Sequence, residues 1–172
     1  MTDLSKHYVV DVRDAADYAA GHIPTSVNIA LRGRLETWTG IMVPWGKPIV
    51  LTGDEKGMKE AVRRLHRIGI TVAGTLPYKK WKASGLPVKT NRRIAPKDLY
   101  GLMKQGKEPI IVDVRLPKEW MGLKIGQVVN LPLNVLDRLS SKLDPKEPVV
   151  AVCNSAFRSS LALGILERNG FR

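Results

Sequence analysis

The chain has 172 residues, of which 44% are hydrophobic and 26% are charged, a composition typical of a folded globular protein. All of its apolar runs fall short of the ~20 residues that a membrane-spanning helix needs. The N-terminal residues lack the basic segment followed by an apolar segment that marks a secretory signal. The only cysteine, Cys153, can form neither an internal disulfide nor a zinc site built from several cysteines. These features together predict a cytoplasmic protein with no membrane partner.

The chain is strongly basic, since 28 Lys and Arg residues against 16 Asp and Glu residues give a net charge of +12. Such a surface attracts anions, which include nucleic acids and small sulfur oxyanions. The sequence has neither the aromatic–glycine pattern of an RNA-binding sheet nor zinc-finger spacing. We therefore expect a solvated basic surface and no nucleic-acid partner. Because His7, His22 and His66 show no metal-ligand spacing, we predict no metal and no other cofactor.

The pattern of apolar and polar residues predicts the same order of elements twice: a strand, a short helix, two further strands and a long amphipathic helix. In the first copy these are Tyr8–Val12, Ala15–Ala20, Ser26–Ala30, Pro48–Leu51 and Gly57–Ile68. In the second copy they are Ile110–Val114, Pro117–Met121, Val128–Pro132, Pro148–Val152 and Ala156–Glu167. The first strand of each copy is apolar throughout, as in strands that are buried on both faces. The alternation predicts an α/β fold, in which a mostly parallel sheet has helices on both faces.

The two copies are related by an internal repeat of about 100 residues. Val9-Val-Asp-Val-Arg13 returns as Ile111-Val-Asp-Val-Arg115, and Val27-Asn28 returns as Val129-Asn130. A repeat of this length is too long for a solenoid unit and has the size of a small domain. A basic, turn-rich linker over residues 84–93 separates the copies. We therefore predict two homologous domains, residues 1–90 and residues 91–172.

Each copy lacks an element that the other copy has. The second copy opens with a helix over residues 96–104, whereas the first copy starts directly on its strand. The first copy ends with a strand-like segment, Val72–Leu76, and a short helix through Trp81, which the second copy lacks. We therefore expect both copies to be truncated, because the chain is cut from a longer protein. The alternative is a homodimer in which two chains exchange a segment that completes each sheet.

Cys153 lies between the predicted strand Pro148–Val152 and the helix that follows it. A strand-to-helix turn directs backbone N–H groups to one point, and the helix N-terminus adds partial positive charge, so both favour a thiolate. Arg158 follows in the first helical turn, where it can hold a bound oxyanion. The rest of the predicted anion-binding loop is Asn154, Ser155, Ala156, Phe157 and Ser159. A lone cysteine after a Val-rich strand is also typical of a small buried hydrophobic residue, and this alternative stays open.

Several motifs resemble those of rhodanese domains. Asp11-Val-Arg13, Gly21-His-Ile-Pro24 and Asp113-Val-Arg115 are similar to the opening signature of that family. Residues 153–158 are similar to its active-site loop, Cys-x-x-Gly-x-Arg. With the repeat, the resemblance covers nearly the whole chain as two rhodanese-like domains in tandem. It implies a sulfurtransferase whose Cys153 takes a sulfane sulfur from thiosulfate, a polysulfide or glutathione persulfide. A thiol, sulfite or cyanide would then accept the sulfur from the Cys153 persulfide.

The two copies depart from the family pattern in different ways. The second copy has Ala156 where the family loop usually has Gly, which costs about 1 kcal/mol if the backbone there needs a positive φ. The substitution is harmless if residue 156 is helical. The first copy has no cysteine in its loop: Gly53 lies opposite Cys153 when counted from the strand, and Thr52 does when counted from the helix. We therefore interpret the first copy as non-catalytic.

A narrower resemblance links residues 28–38, 49–51 and 64–69 to the rhodanese pair that follows a metallo-β-lactamase-fold domain in bacterial persulfide-oxidising proteins. It implies such a domain as a partner in a full-length protein. Two other functions stay open. One is a non-catalytic rhodanese-type binding or regulatory module, and the other is a phosphatase or arsenate reductase on the same fold. The short loop favours sulfur over phosphate, because the related phosphatases have a loop that is one residue longer.

The remaining conspicuous residues have structural interpretations. Asp11 and Asp113 end buried strands, and we expect each carboxylate to accept hydrogen bonds from nearby backbone and from arginine. We expect His22 to be a hydrogen-bonded structural residue. The four tryptophans are expected to pack in the core or between the domains. They are Trp38, Trp45, Trp81 and Trp120.

Overall fold

The structure, a computed structural model, describes residues 4–171. Residues 1–3 and 172, which the predicted domain ranges include, lie outside the described residues. The described chain divides into two units, Met1–Thr90 and Asn91–Arg172. Each unit has its own sheet, and the paired strands of both sheets are parallel.

The first unit contains four strands and four α-helices, preceded by a 3-10 turn at Leu4–Lys6. The strands are β1 (Tyr8–Asp11), β2 (Val27–Asn28), β3 (Ile49–Gly53) and β4 (Val72–Pro77). The helices are α1 (Ala15–Ala20), α2 (Leu35–Met42), α3 (Glu55–His66) and α4 (Tyr78–Ala83). The strand order in the sheet is β2-β1-β3-β4, so β1 and β3 lie at its centre.

The second unit repeats this plan with three strands. They are β5 (Ile110–Asp113), β6 (Val129–Asn130) and β7 (Val149–Val152), in the order β6-β5-β7. Its helices are α5 (Pro96–Lys104), α6 (Pro117–Gly122), α7 (Leu136–Leu139) and α8 (Phe157–Arg168), with 3-10 turns at Leu133–Val135 and Ser140–Lys142. The predicted fold class is confirmed, because each unit is a parallel sheet flanked by helices. The helix predicted over residues 96–104 is also found.

The first sheet is built around strands that are buried along their whole length. All four residues of β1 and all five residues of β3 are buried. Central strands of a sheet that helices cover on both faces have apolar residues at consecutive positions, as at Val9 and Val10. Burying one such side chain contributes about 1.5–3 kcal/mol relative to leaving it exposed.

Helix α3 shows how the sequence sets the bounds of a helix. Its apolar residues recur at the helical period on the face that is buried. Asp54 precedes the helix, and its Oδ1 accepts a hydrogen bond of 2.8 Å from the Gly57 N–H. This cap explains why the helix begins at Glu55 and not at Gly57, where it was predicted to begin. The chain leaves the helix through Gly69, whose φ of 76° is the left-handed conformation that suits a glycine.

Two strands are shorter than the sequence predicted, and two helices were not predicted. The second strands are two-residue strands, Val27–Asn28 and Val129–Asn130, and not the five-residue strands predicted. Beyond β2 the chain stays beside β1 through separate backbone hydrogen bonds. For example, the Ile29 N–H donates to the Asp11 carbonyl. Helix α2 was missed because its sequence contains two threonines and a glycine, which have low helix propensity. The short helix α7 was missed as well.

The tryptophans do not form the core that was expected of them. Trp45 is 93% exposed, so the prediction for this residue was wrong. Trp38, Trp81 and Trp120 are half-buried. Trp45 lies in the surface loop 44–48, which connects α2 to β3. Three of the five residues of this loop are Pro or Gly, which are typical of turns at the surface.

The fourth strand distinguishes the two units, as the sequence predicted. In the first unit β4 pairs with β3. Residues 91–171 contain no corresponding strand, and the four residues of β7 are half-buried where those of β3 are buried. The outer edge of β7 therefore has no strand partner among the described residues of its unit.

One polar arrangement recurs in both units at the end of the first strand. In the first unit the Asp11 carboxylate accepts hydrogen bonds from the Arg13 N–H at 3.0 Å and from Arg13 Nη2 at 2.6 Å. The same Nη2 also donates to the Gly21 carbonyl at 2.7 Å. Asn28 Nδ2 donates to the Asp11 and Arg13 carbonyls at 3.1 and 2.8 Å. The carboxylate of Asp11 is fully buried, so the predicted structural role of this residue agrees with its contacts.

His22 lies next to this arrangement and is fully buried. Its ring stacks on Tyr18 with a centroid separation of 4.0 Å, and its Nδ1 lies 3.0 Å from the Tyr18 carbonyl. A carbonyl can only accept, so Nδ1 is the donor. Its backbone forms an isolated antiparallel bridge with Lys89. These contacts agree with the structural role expected of His22.

Replacing Asp11 with alanine should lower the free energy of unfolding by about 3 kcal/mol, because Arg13 would keep a largely buried charge without its carboxylate. The side chain of Arg13 is only 12% exposed. Urea unfolding followed by circular dichroism measures the change. Asp17→Ala, which removes an exposed carboxylate from the nearby helix α1, is the control and should cost less than about 1 kcal/mol. Equal losses in the two variants would contradict this prediction.

Candidate active site

Cys153 is the first residue after β7, at the carboxyl end of the sheet in the second unit. Three further residues separate it from α8, which begins at Phe157. The carboxyl edge of a parallel sheet is where open α/β folds bind ligands. The thiol is free and partly exposed, so it is not the buried hydrophobic residue that the sequence left as an alternative.

The sulfur of Cys153 contacts the first turn of α8. The Ser159 N–H donates to Cys153 Sγ at 3.4 Å, and the Ser159 hydroxyl lies 3.4 Å from the same sulfur. Ser159 is the third residue of α8, and the N–H groups of a first helical turn have no partner within the helix. The sulfur therefore takes a hydrogen bond from the positive end of a helix. A backbone N–H at the N-terminus of a helix is a group that can stabilise negative charge on an atom bound there.

Arg158 forms an ion pair with Glu119 of helix α6. Its Nη1 and Nη2 donate to the two carboxylate oxygens at 2.7 and 2.8 Å. Glu119 Oε2 also accepts the Leu116 N–H at 3.1 Å and so caps α6. The hydrogen bonds from Arg158 lower the pKa of Glu119 to about 2, and those to Glu119 raise the pKa of Arg158. The sequence predicted that Arg158 holds a bound oxyanion, and in the structure its guanidinium is paired with Glu119.

Arg115 is the second guanidinium of the site. Its Nε and Nη2 donate to the buried Asp113 carboxylate at 3.0 and 2.6 Å, and Nη2 also donates to the Leu123 carbonyl. Its Nη1 donates to Asn154 Oδ1 at 3.3 Å, and Asn154 Nδ2 lies 3.5 Å from Glu119 Oε1. Asn154, the residue after the cysteine, therefore connects the two ion pairs.

Both guanidiniums respond to the charge of Cys153. The pKa of Arg115 is raised chiefly by its hydrogen bonds to Asp113, and the pKa of Arg158 chiefly by those to Glu119; the charge of Cys153 adds to both.

Ala156 is the N-cap residue of α8 and has the left-handed conformation, with φ 61° and ψ −12°. Of the two conformations that the sequence left open, the strained one is present. A left-handed residue followed by helical ones makes successive backbone N–H groups converge, as in anion-binding nests. For an L-residue with a Cβ this conformation costs about 1–2 kcal/mol.

The other predicted loop residues lie around this turn. Asn154 and Ser155 are exposed, and Phe157 and Ser159 are partly buried at the start of α8. Sequence reasoning did not place Arg115 and Glu119 in the site. The repeated Asp-Val-Arg motif could have indicated the first of these, but nothing in the spacing shows that α6 brings Glu119 to Arg158.

These features can be compared with known proteins. The model of the rhodanese-like domain family matches residues 1–83 and 95–172. The chain belongs to the rhodanese-like domain family. The two matched segments fall in the two units, so each unit is a rhodanese-like domain. A search of curated proteins found no match.

Several solved structures are similar to the chain. A thiosulfate sulfurtransferase from Pseudomonas aeruginosa has 22% identity and a TM-score of 0.45, over 94% of this chain and 35% of that chain. The Rhodanese_3-like domain of the Alr3790 protein from Anabaena sp has 22% identity and a TM-score of 0.48, over 52% of this chain and 98% of that chain. SseA from Escherichia coli, described as a 3-mercaptopyruvate sulfotransferase, has 16% identity and a TM-score of 0.39, over 95% of this chain and 88% of that chain. The chain thus spans about a third of the length of the Pseudomonas structure.

The first rhodanese-like domain has no comparable loop. Asp11 pairs with Thr52 in the sheet and Asp113 pairs with Val152, so Gly53 is the residue that corresponds to Cys153. Strands β3 and β7 begin 100 positions apart, at 49 and 149, but α3 and α8 begin 102 apart, at 55 and 157. The loop of the first domain is therefore two residues shorter, and it presents no nucleophile at this position.

None of the helices within residues 4–171 is both long enough and apolar enough to span a bilayer. Within the same residues there is no group of three His, Cys, Asp or Glu side chains that can bind a metal ion.

Replacing Ala156 with glycine should raise the free energy of unfolding by about 1 kcal/mol, because glycine adopts the left-handed conformation without strain. Urea unfolding measures the change. Ala95→Gly is a matched control, since Ala95 is the exposed N-cap of α5 but has an ordinary φ of −73°. The difference between the two variants isolates the backbone strain at residue 156, and no difference would contradict the left-handed conformation.

The lowered pKa of Glu119 predicts the pH dependence of its ion pair. The carboxyl has its usual pKa of 4.5 in the unfolded chain and about 2 in the folded chain. The pair therefore stabilises the fold above about pH 4.5, and this contribution is lost as the pH falls through about 2. Urea unfolding of the wild type and of Glu119→Gln at several pH values measures it. The stability difference should shrink as the pH falls, and a difference that does not change with pH would contradict the pairing.

Proposed function

We propose that the second rhodanese-like domain transfers sulfane sulfur through a persulfide on Cys153. The observation that carries the proposal is the position of Cys153 Sγ, which accepts the Ser159 N–H at the N-terminus of α8. A nucleophilic cysteine needs its thiolate stabilised and its sulfur accessible. Cys153 is free and of intermediate burial, and its sulfur accepts a hydrogen bond at the N-terminus of a helix, which supports the proposal.

In the first half-reaction the Cys153 thiolate attacks the outer sulfur of a donor. An S–S bond forms between Cys153 and that sulfur, and the S–S bond of the donor breaks. The leaving group takes the electron pair, as sulfite from thiosulfate or as a thiolate from a persulfide. In the second half-reaction an acceptor attacks the terminal sulfur and Cys153 leaves as the thiolate. The electrons balance within the two steps, so the cycle needs no redox cofactor.

The surrounding groups support an anion at the sulfur throughout this cycle. The persulfide carries its negative charge on the terminal sulfur, one bond further from Cys153 than the thiolate charge. A left-handed residue such as Ala156 before a helix makes successive backbone N–H groups converge, an arrangement that suits a negative charge. Arg115 donates a hydrogen bond to Asn154, the residue that follows Cys153 in this loop.

We further propose which molecules react at the site and where the reaction takes place. Thiosulfate, a polysulfide or glutathione persulfide is the donor, and a thiol, sulfite or cyanide is the acceptor. We place the reaction in the cytoplasm, where a reducing environment keeps the single thiol reduced. A metallo-β-lactamase-fold domain as covalent partner and a homodimeric assembly are further parts of the same proposal.

Incubating the protein with each donor at neutral pH and measuring its intact mass tests the proposal. The wild type should gain one sulfur atom, and adding sulfite or a thiol should remove it. Because Cys153 is the only cysteine, Cys153→Ser is a clean control that should gain nothing. A wild-type protein that takes sulfur from no donor would leave the non-catalytic module as the function. Hydrolysis of a phosphate ester or reduction of arsenate without sulfur uptake would favour the phosphatase or arsenate reductase.

A further inference from the structure

We propose that Glu119 sets the charge of the sulfur donor, so that the site prefers singly charged donors over doubly charged ones. The proposal rests on the sulfur transfer proposed above and narrows its substrate class. It would make the hydropolysulfide anion a better donor than thiosulfate. Glu119 would be a specificity-determining residue that acts through Arg158.

The argument begins with the charges around the sulfur. Two guanidiniums, Arg115 and Arg158, interact with the charge of Cys153. Each is hydrogen-bonded to its own carboxylate, with distances of 2.6 to 3.0 Å. The carboxylates are Asp113 and Glu119. Each guanidinium is paired with its own carboxylate, so neither is left as an unpaired cation for an incoming donor.

A negative site distinguishes donors by their charge. Thiosulfate carries two negative charges and the hydrodisulfide ion, HSS⁻, carries one, and both give up a sulfane sulfur to a thiolate. The first leaves as sulfite and the second as hydrosulfide, so the Cys153 persulfide is the same product in both reactions. The repulsion from the thiolate is greater for the dianion, and no unpaired guanidinium within the four-residue cluster compensates for it.

The lysines of the neighbouring segment do not alter this balance. Lys118 and Lys124 are exposed to water, where salt screens their charge. The ammonium of Lys124 lies over the ring of Trp120, 4.8 Å from its centroid. Neither lysine is among the charges that act on Arg158, which are those of Glu119, Cys153 and Arg115.

Glu119 can be replaced with less disturbance of the fold than Asp113. The Asp113 carboxylate is buried and holds Arg115 to the end of β5, so its replacement would disturb the fold. Glu119 is 31% exposed. A glutamine at position 119 can still accept from Arg158 and cap the Leu116 N–H, because Gln also serves at this position of a capping box. Glu119→Gln therefore removes one negative charge and keeps the helix cap and one of the two hydrogen bonds from Arg158, because an amide has a single acceptor oxygen.

The experiment compares donors by the rate at which the protein gains sulfur. For the wild type and Glu119→Gln, kcat/KM is measured with thiosulfate and with hydrodisulfide, each at low and high ionic strength. The ratio of kcat/KM for thiosulfate to that for hydrodisulfide should rise about tenfold in the variant, since one unit charge acts on one additional donor charge. Added salt should raise the wild-type rate with thiosulfate more than the variant rate.

Glu147→Gln is the matched control. It removes the same charge from an exposed residue at the opposite end of β7, and it should leave the donor ratio unchanged. A donor ratio that is the same in Glu119→Gln and wild type, in proteins that both take up sulfur, would overturn the role of Glu119 alone. Absence of sulfur uptake from both donors would instead overturn the sulfurtransferase function. A loss of uptake confined to Glu119→Gln, with both donors equally affected, would assign Glu119 a structural role and also overturn the proposal.

Discussion

The buried ion pair between Asp113 and Arg115 is the constraint on which the site depends. A carboxylate that is almost fully buried needs a partner, and the guanidinium two residues later provides it at the end of β5. The same guanidinium then reaches the Leu123 carbonyl and Asn154 Oδ1. The pair therefore links the strand, the segment after α6 and the loop of Cys153. In the first domain Asp11, Arg13 and Gly21 make the same contacts, so the pair belongs to the fold, and the contact with Asn154 belongs to the second domain.

The sequence predicted those parts of the fold that depend on residues close together in the chain. Buried strands follow from apolar runs, and α3 and α8 follow from their periodicity and the glycines that end them. The Asp-Val-Arg repeat and the position of Cys153 between strand and helix also follow from local pattern. The short strands β2 and β6 could not be bounded, because their length is set by how many residues pair with β1 and β5. The ion pair of Arg158 could not be predicted either, since Glu119 lies 39 residues away in the chain and only tertiary structure brings it near.

The two domains differ at the carboxyl edge of the sheet in the length of one loop and in the group that accepts a helix N-terminal N–H. Both have a strand, a loop and a twelve-residue helix at the same edge. In the first domain the loop is two residues shorter, and the Asp54 side chain accepts the N–H of the third helical residue, Gly57. In the second domain the N–H of the third helical residue is that of Ser159, and it donates to the sulfur of Cys153. The thiol of one domain thus occupies the hydrogen-bonding place of the capping carboxylate in the other.

This comparison gives a physical reason for an alanine at position 156. An N-cap residue with an oxygen in its side chain, such as Asp or Ser, would compete with Cys153 for the Ser159 N–H. Alanine has no such oxygen, so the helix N-terminus remains available to the sulfur. The left-handed conformation that the turn requires makes glycine the less strained choice, and glycine also has no side-chain acceptor. Ala156 therefore costs stability without taking the hydrogen bond away from Cys153, and the strain at this residue belongs to the fold energy and not to the chemistry of the thiolate.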